Sequence, residues 1–520
     1  MHHQRSLTLD HVWIATAIAL LAIGPLFTPV PPNDLWFHIA TGRRIMAESA
    51  IPATDSFSYT QFGQPFYNQA WLAQLTLFGL NVAGGVPLLL LAHALLILVG
   101  YGLLLHLCVR RSDNLRLSVA LFLVTLPVAF PAWNIRPQTG AFPLFAAFLY
   151  ILTAYRLGWF NRLWLLPLLM AVWVNVHGTF PLGLALIGAT VVGMVFARWQ
   201  TKDEGRPTED EGRPTEDEGR PTEDEGRKTA HGRTSPPASY FRPSSFGFRP
   251  LIGWGLLTAL AVLLNPAGVG VLGYVRSLTG NNAVTQLVSE WAAPTIREPG
   301  GLVFFVFLLV GALLLIYAPR KPDLADWLMG LPLLWLALGA GRNVVWFAFV
   351  AVPVVVVAAA SLLPAPKKAA RGVAAMNGLL IGMLGLAVLL CLPWVKPLWL
   401  AGPQGELLKN TPVAAVAWLQ SQSDRPHRLY HTEAHGSYLT YAAPEQPVFI
   451  DPRIELYPFA QWQDYLALNS GSDVAALTAR YGFDGMLLSK EYQAPLIERM
   501  RAETGWEQQY EDDLVVYFGR

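Results

Sequence analysis

Long apolar runs recur from Leu20 to Leu400, and they constrain this chain more than any other feature. A helix crosses the hydrocarbon of a bilayer with about 20 mostly apolar residues. Eleven stretches qualify, at 11–30, 86–108, 117–133, 138–156, 162–176, 178–198, 250–270, 300–318, 324–341, 343–363 and 374–396. The fifth and ninth are short for a span. Residues 71–84 are a further apolar stretch, read as an interfacial helix leading into the second span. The expected fold is mainly α: a polytopic membrane helix bundle of about 11 spans. Only 14% of the residues are charged, against about 25% in soluble domains, which points away from a soluble enzyme. A net charge of +1 supplies no basic field for nucleic acid. The two cysteines, Cys108 and Cys391, lie in apolar stretches, so neither a disulfide framework nor a CxxC zinc site is expected.

The first span lacks a small-residue cleavage site and runs into Pro31-Pro32, the pattern of a retained signal anchor. With the N-terminus in the cytoplasm, every cytoplasmic loop is basic: Arg110, Arg111 and Arg116; Arg156 and Arg162; Arg320 and Lys321; Lys367, Lys368 and Arg371. An odd number of spans then places the C-terminal tail outside the membrane. Four regions follow. Residues 1–199 form the first half of the membrane domain, including an outer loop at 31–70. Residues 200–248 carry three tandem DEGRPTE units, at 203–209, 210–216 and 217–223, and read as a disordered cytoplasmic linker. Residues 249–400 form the second half, and 403–520 a small extracytoplasmic α/β domain. In that domain HRLYH (427–431), PVFI (447–450), GMLLS (485–489) and LVVYF (514–518) look like strands, alternating with helical spacing at 412–420, 459–468 and 473–481. That alternation predicts a mostly parallel sheet.

Polar groups near membrane depth are costly, and here they gather on the outer face. The first loop gives Asn33, Asp34 and His38; the next gives Arg136 and Gln138; then come Asn175 and His177, Glu290 and Trp291, and Arg342 with Asn343. Alone, each has an ordinary explanation: an arginine anchoring at the headgroups, a histidine in helix packing, tryptophans in an interfacial belt. Five loops of one face doing so suggest one cavity, with carboxylates Asp34 and Glu290 and cations Arg136, Arg276 and Arg342. Arginine forks suit a phosphate, and a carboxylate beside them can take a proton from a sugar hydroxyl. The combination describes group transfer from a lipid phosphate. A transporter would instead scatter ionisable groups through the midplane and show paired repeats, and neither is present.

The segment NDLWFHIATGRRIMAESAIPATDSFSYTQFGQPFYNQAWLAQ (33–74) resembles the first outer loop of a set of bacterial membrane proteins grouped with GT-C glycosyltransferases of the polyprenyl-phosphate-mannose type. NIRPQ (134–138), WVNVHGTF (173–180), NPAGVGVLGY (265–274), SEW (289–291) and GRN (341–343) are similar to later landmarks in the same order, and HGSYLTY (435–441) and FIDPRIELY (449–457) to the tail. The resemblance implies a bacterial inner-membrane transferase with a lipid-linked sugar donor, embedded among membrane lipids. It implies Asp34 as catalytic base, Arg136 and Arg342 on the donor phosphate, and His38, Gln138, His177 and Glu290 lining the site. Two departures stand out. Asn33-Asp34 replaces a paired acid, which leaves a divalent metal cofactor (Mg or Mn) open, and Gln69-Ala70 replaces His-Glu before Trp71. Asp451 and Arg453 follow a strand; they bind the acceptor or hold the turn. A non-catalytic envelope scaffold and a lipid-linked sugar transporter are the rival functions.

Overall fold

The computed structural model describes residues 7–203, 246–279, 289–363, 372–402 and 405–520. All but the first residue of the DEGRPTE repeats, and the Lys367–Arg371 basic loop, lie outside the described residues. Seven helices are long and apolar enough to cross a membrane. In chain order the helices are α1 (Leu9–Phe27), α2 (Leu35–Glu48), α3 (Trp71–Ser112), α4 (Leu115–Thr125), α5 (Pro137–Arg156), α6 (Leu165–Val176), α7 (Pro181–Asp203), α8 (Phe248–Ala261), α9 (Gly270–Thr279), α10 (Pro299–Tyr317), α11 (Leu324–Gly339), α12 (Val344–Leu362) and α13 (Ala374–Cys391). The shorter apolar helices α4, α6, α8 and α11 fall on four of the expected spans, and the seven long ones on the rest. Helix α4 is cut short by Pro127 and Pro131, which turn the chain through two 3₁₀ segments. Proline removes a donor and clashes with the preceding turn.

Apolar faces set who sits inside. Helices α5 and α12 are the most enclosed, with aromatic side chains of Phe142, Phe145, Trp346 and Phe349 stacked between them. Helices α10 and α13 show most of their surface to the surroundings, as lipid-facing helices do. Helix α3 has 42 residues but is two legs. Gly85 has φ +60° and breaks it, with Pro87 two residues on; a side chain at that φ would be strained. The first leg covers the stretch 71–84 for which an interfacial helix is expected. It lies flat against α2, so close that a Cβ on Gly42 would stand 2.1 Å from the Gln74 carbonyl oxygen.

At the far end of α5 from Arg136, about 30 Å along the axis by helical rise, the ends of three helices are tied by charge. Arg111 at the end of α3 bonds Asp326 at 2.7 Å and 3.2 Å. Arg156 at the end of α5 bonds Asp326 at 2.8 Å and also Asp323, the N-cap of α11. Arg111, Arg156 and Asp326 are all buried.

The tail contributes α14 (Val413–Ser421), β1 (Leu429–His431), α15 (Glu433–Ala442), α16 (Phe459–Asn469), α17 (Val474–Tyr481), β2 (Gly485–Ser489), α18 (Ala494–Arg501), β3 (Glu507–Glu511) and β4 (Val515–Gly519). The sheet order is β1-β2-β4-β3. Only β1 and β2 run parallel; β2–β4 and β4–β3 are antiparallel. The expected mostly parallel sheet is thus corrected. The cause is the tight connection at Asp512–Leu514, where the Asp512 carboxylate accepts from Leu514 N and Val515 N and turns the chain back. The PVFI segment is not a strand of this sheet either. Val448 pairs with the first loop, bonding Phe57 O and Tyr59 N. One hydrophobic cluster joins Val30, Leu35, Trp36 and Ile39 of the front of the chain to Ala415, Leu419, Leu429 and Leu487 of the tail.

Removing one partner of a buried charge network strands the others, at about 3–5 kcal/mol. Asp326→Asn is expected to lower the melting temperature of the purified protein in detergent far more than Arg44→Ala at the exposed Arg44–Glu48 pair, measured by tryptophan fluorescence.

Candidate functional site at the seam between the first loop and the tail

The turn after α1 is short and held from both sides. Asn33 Oδ1 accepts from Leu35 N at 3.2 Å, and α2 starts directly after Asp34. From the tail, the Ser437 hydroxyl donates to Asn33 O at 2.6 Å and accepts from Phe37 N at 3.0 Å. The guanidinium of Arg43 reaches the Thr440 and Tyr441 carbonyls at the end of α15. The tail therefore forms one wall of the site.

Arg453 closes the seam. It bonds Asp451 at 2.5 Å and Asp55 of the first loop at 2.6 Å. The rings of Phe37, Phe57 and Phe66 stand 4.9, 5.3 and 5.1 Å from its guanidinium carbon. Arg453 is 4% exposed and Asp451 is fully buried. Both spend their polar groups on each other and on Asp55, the turn-holding arrangement rather than an open acceptor site.

Asp34 stands 3.7 Å from His38 Nε2, one helical turn on. Gln74 Nε2 lies 3.3 Å from His38 Nδ1; with that amide donating, the imidazole proton sits on Nε2, toward Asp34. Burial pushes the Asp34 carboxyl up, but the His38 contact and the Arg136 charge outweigh it, and the group is held below the usual carboxylate range. Arg136, extended before the first turn of α5, bonds the Glu290 carboxylate at 2.8 Å and 3.0 Å. Arg342, on the 3₁₀ turn Gly341–Asn343, holds its guanidinium carbon over the Trp291 ring, 4.8 Å from the centroid. The two segments are tied by Gly341 N donating to Ala292 O at 2.9 Å. Among the described residues Arg342 has no carboxylate within ion-pair distance, and Arg136 is among the charges that act on it.

His177 ends α6. Its Nδ1 accepts from Thr179 N at 3.3 Å and lies 3.0 Å from Thr179 Oγ1, which also takes the Trp173 indole N–H. Its proton therefore sits on Nε2. Burial and the nearby charges of Arg342 and Arg136 lower it to about 3. The mutual influence of Asp34, His38, Arg136, His177, Glu290 and Arg342 places these six in one electrostatic cluster. Gln138 is 2% exposed beside Arg136, and both ends of its amide lack partners among the described residues. Arg276, the third cation read from the sequence, lies exposed on α9.

Several contacts here, and the carboxylates Glu433 and Glu455, escaped the sequence reading. Gln69 donates to Val174 O at 2.6 Å, and Trp71 Nε1 to Asn175 Oδ1 at 2.7 Å, so NQAW (68–71) and WVNVH (173–177) brace each other. Glu455 accepts from Tyr274 at 3.4 Å and is raised by burial. Glu433 begins α15, half-buried. Burial first, then the charges of Asp451 and Asp34, raise it to about 7. The one sequence sign for Glu433 was Thr432 before it, an N-cap type residue.

A divalent cation such as Mg²⁺ needs several convergent oxygens. Among the described residues no three His, Cys, Asp or Glu side chains converge. Asp34 faces His38 and the Arg136 charge, and Glu290 is occupied by Arg136. The described donor set does not fit such an ion.

No protein-family model matches the sequence, and no curated protein is significantly similar to it. Solved structures do match. The archaeal oligosaccharyltransferase AglB from Archaeoglobus fulgidus, in complex with an inhibitory peptide and a dolichol-phosphate, superposes with a TM-score of 0.51 at 11% identity, over 95% of this chain and 72% of that one. The apo form of the Archaeoglobus fulgidus oligosaccharyltransferase gives 0.52 at 11%, over 92% and 70%. ArnT from Cupriavidus metallidurans, bound to undecaprenyl phosphate, gives a TM-score of 0.49 at 11% identity, over 98% of this chain and 97% of that one. The chain has the fold of the GT-C membrane glycosyltransferases.

Two expectations follow from the site geometry. Arg453→Leu leaves Asp55 and Asp451 buried without a cation, so the seam is expected to open, read as a lowered melting temperature and faster chymotryptic cleavage after Leu456 and Phe459. His177, lowered to about 3, is neutral throughout the physiological range; labelled-histidine NMR is expected to show no protonation step for it between about pH 5 and 8, where a free imidazole titrates.

Proposed function

We propose that this chain is a membrane glycosyltransferase. It takes a sugar from a polyprenyl-phosphate-linked donor and transfers it to an envelope glycan, lipid or protein. The membrane is a bacterial inner membrane, with the N-terminus in the cytoplasm and the tail, hence the site, on the outer side. The observation that carries this reading is Arg342. It is a half-buried guanidinium held over the Trp291 ring, within electrostatic influence of Asp34 and without an ion-pair partner among the described residues. A second cation, Arg136, stands beside it. Two forks of donors beside a carboxylate suit a phosphate leaving group on one side and an acceptor hydroxyl on the other. The donor phosphate sits at Arg342 and Arg136, with the neutral Nε2–H of His177 as a further donor. Asp34 is the acceptor-side carboxylate, and His38, Gln138 and Glu290 line the site. The lipid carriers named with the fold neighbours, dolichol-phosphate and undecaprenyl phosphate, have this chemistry. The buried, mutually paired charges at the far end of α5 argue against a continuous polar path for a transporter.

The test is complementation of a deletion in the native host, with envelope glycans and glycolipids compared by mass spectrometry. Wild type is expected to restore a species that Asp34→Asn and Arg342→Ala restore at about 100-fold lower level, the scale of losing a preorganised charge at a transition state. Equal restoration by both variants, at equal protein levels, sinks the reading in favour of a scaffold on this fold.

A further inference from the structure

The carboxylates of the site described so far, Asp34 and Glu290, are held against His38 and Arg136, and neither is an unpaired proton acceptor. The tail supplies one. Helix α15 opens with Thr432 Oγ1 accepting from His435 N at 3.1 Å, which fixes Glu433 in the first turn. Glu433 and Ser437 are one turn apart and so share a helix face. Ser437 is bonded to Asn33 O and Phe37 N, so that face looks onto the turn bearing Asp34. The Glu433 backbone N–H is held by the Tyr465 hydroxyl at 3.2 Å, while its carboxyl makes no hydrogen bond or ion pair among the described residues.

We infer that Glu433 is the proton acceptor of the transfer reaction, acting across the seam beside Asp34, which organises the charges around the donor. This inference rests on the transferase reading above. The groups acting on Glu433 are Asp34 from the first loop, Asp451 from the segment before α16, and Tyr465 from α16. No cation among them favours its charged form. Burial and the two carboxylates raise it to about 7, while Asp34 is held low by His38 and Arg136. A general base works best with a pKa near the operating pH, and carboxyl groups driven apart in this way divide the roles between them. In the step, the acceptor oxygen bonds to the anomeric carbon as its proton passes to the Glu433 carboxylate. The bond from that carbon to the lipid phosphate oxygen breaks, and its electron pair leaves with the phosphate, between Arg136 and Arg342. Glu433 then returns the proton to water.

The experiment uses detergent-solubilised membranes of the deletion host carrying the full chain, with the host's own lipid donor and acceptor. Product is followed by mass spectrometry at pH 6, 7 and 8. Because the unprotonated form is the active one, the wild-type rate is expected to rise about tenfold from pH 6 to 8 for a midpoint near 7. Glu433→Gln is expected to lose about 100-fold at every pH, general-base catalysis being worth that or more, and to lose the slope. Glu433→Asp keeps a slope at a reduced rate, and carries the test if the amide variant does not accumulate. Asp34→Gln removes a like charge and moves the midpoint of its residual activity to lower pH, a change that a merely structural Glu433 does not produce. A folded Glu433→Gln with the wild-type rate and slope overturns the inference. Absence of product from wild type above the empty vector overturns the transferase reading, and the inference with it.

Discussion

Arg453 is the contact on which the rest of the site depends. It is a buried cation bonded to one carboxylate of its own segment and one of the first loop, with three phenylalanine rings around it. A charge taken out of water this completely is tolerable only when paired and hydrogen-bonded. Asp55 is therefore not an optional partner. Its other oxygen takes Ser58 N and Ser58 Oγ, which shapes the loop that Val448 pairs with. Seating Arg453 thus orders the first loop, sets α15 against the Asn33 turn, and brings Glu433 within electrostatic reach of Asp34.

The charges divide by task. At the far end of α5, Arg111, Arg156, Asp323 and Asp326 satisfy one another inside the protein and lock helix ends together. At the near end the balance is left open. Arg136 is matched by Glu290, but Arg342 leans on an indole, and Glu433 stands without a counter-charge among the described residues. An aromatic face holds a guanidinium in place without consuming its donors. Structure is secured where charges are paired, and chemistry is offered where they are held but unspent.

Much of this was legible in the chain. Apolar run lengths gave the positions of the long apolar helices, and the order of polar motifs predicted that Asp34, Arg136, His177, Glu290 and Arg342 share one face; the fold brings the five into one electrostatic cluster. The rest depends on contacts hundreds of residues apart. Nothing local in PVFI says that its partner is Phe57–Tyr59 rather than β1, because a short apolar run has the same pattern in either pairing. The antiparallel sheet follows from a three-residue turn rather than from strand composition. Glu433 has an ordinary N-terminal position in an ordinary helix; only the docking of Ser437 on Asn33 turns it toward the site. Even Gln69, read as a departure from a His-Glu pair, proves to be a brace for α6.

The shared cluster of Trp36, Leu35 and Ile39 with Leu419, Leu429 and Leu487 bears on how the molecule is made. The first loop is among the earliest parts to leave the ribosome, yet its covering wall is encoded some 400 residues later. Through the synthesis of every intervening helix that loop has no lid, no Ser437 and no Glu433. The first loop and its covering wall therefore come together only once the last fifth of the chain is folded.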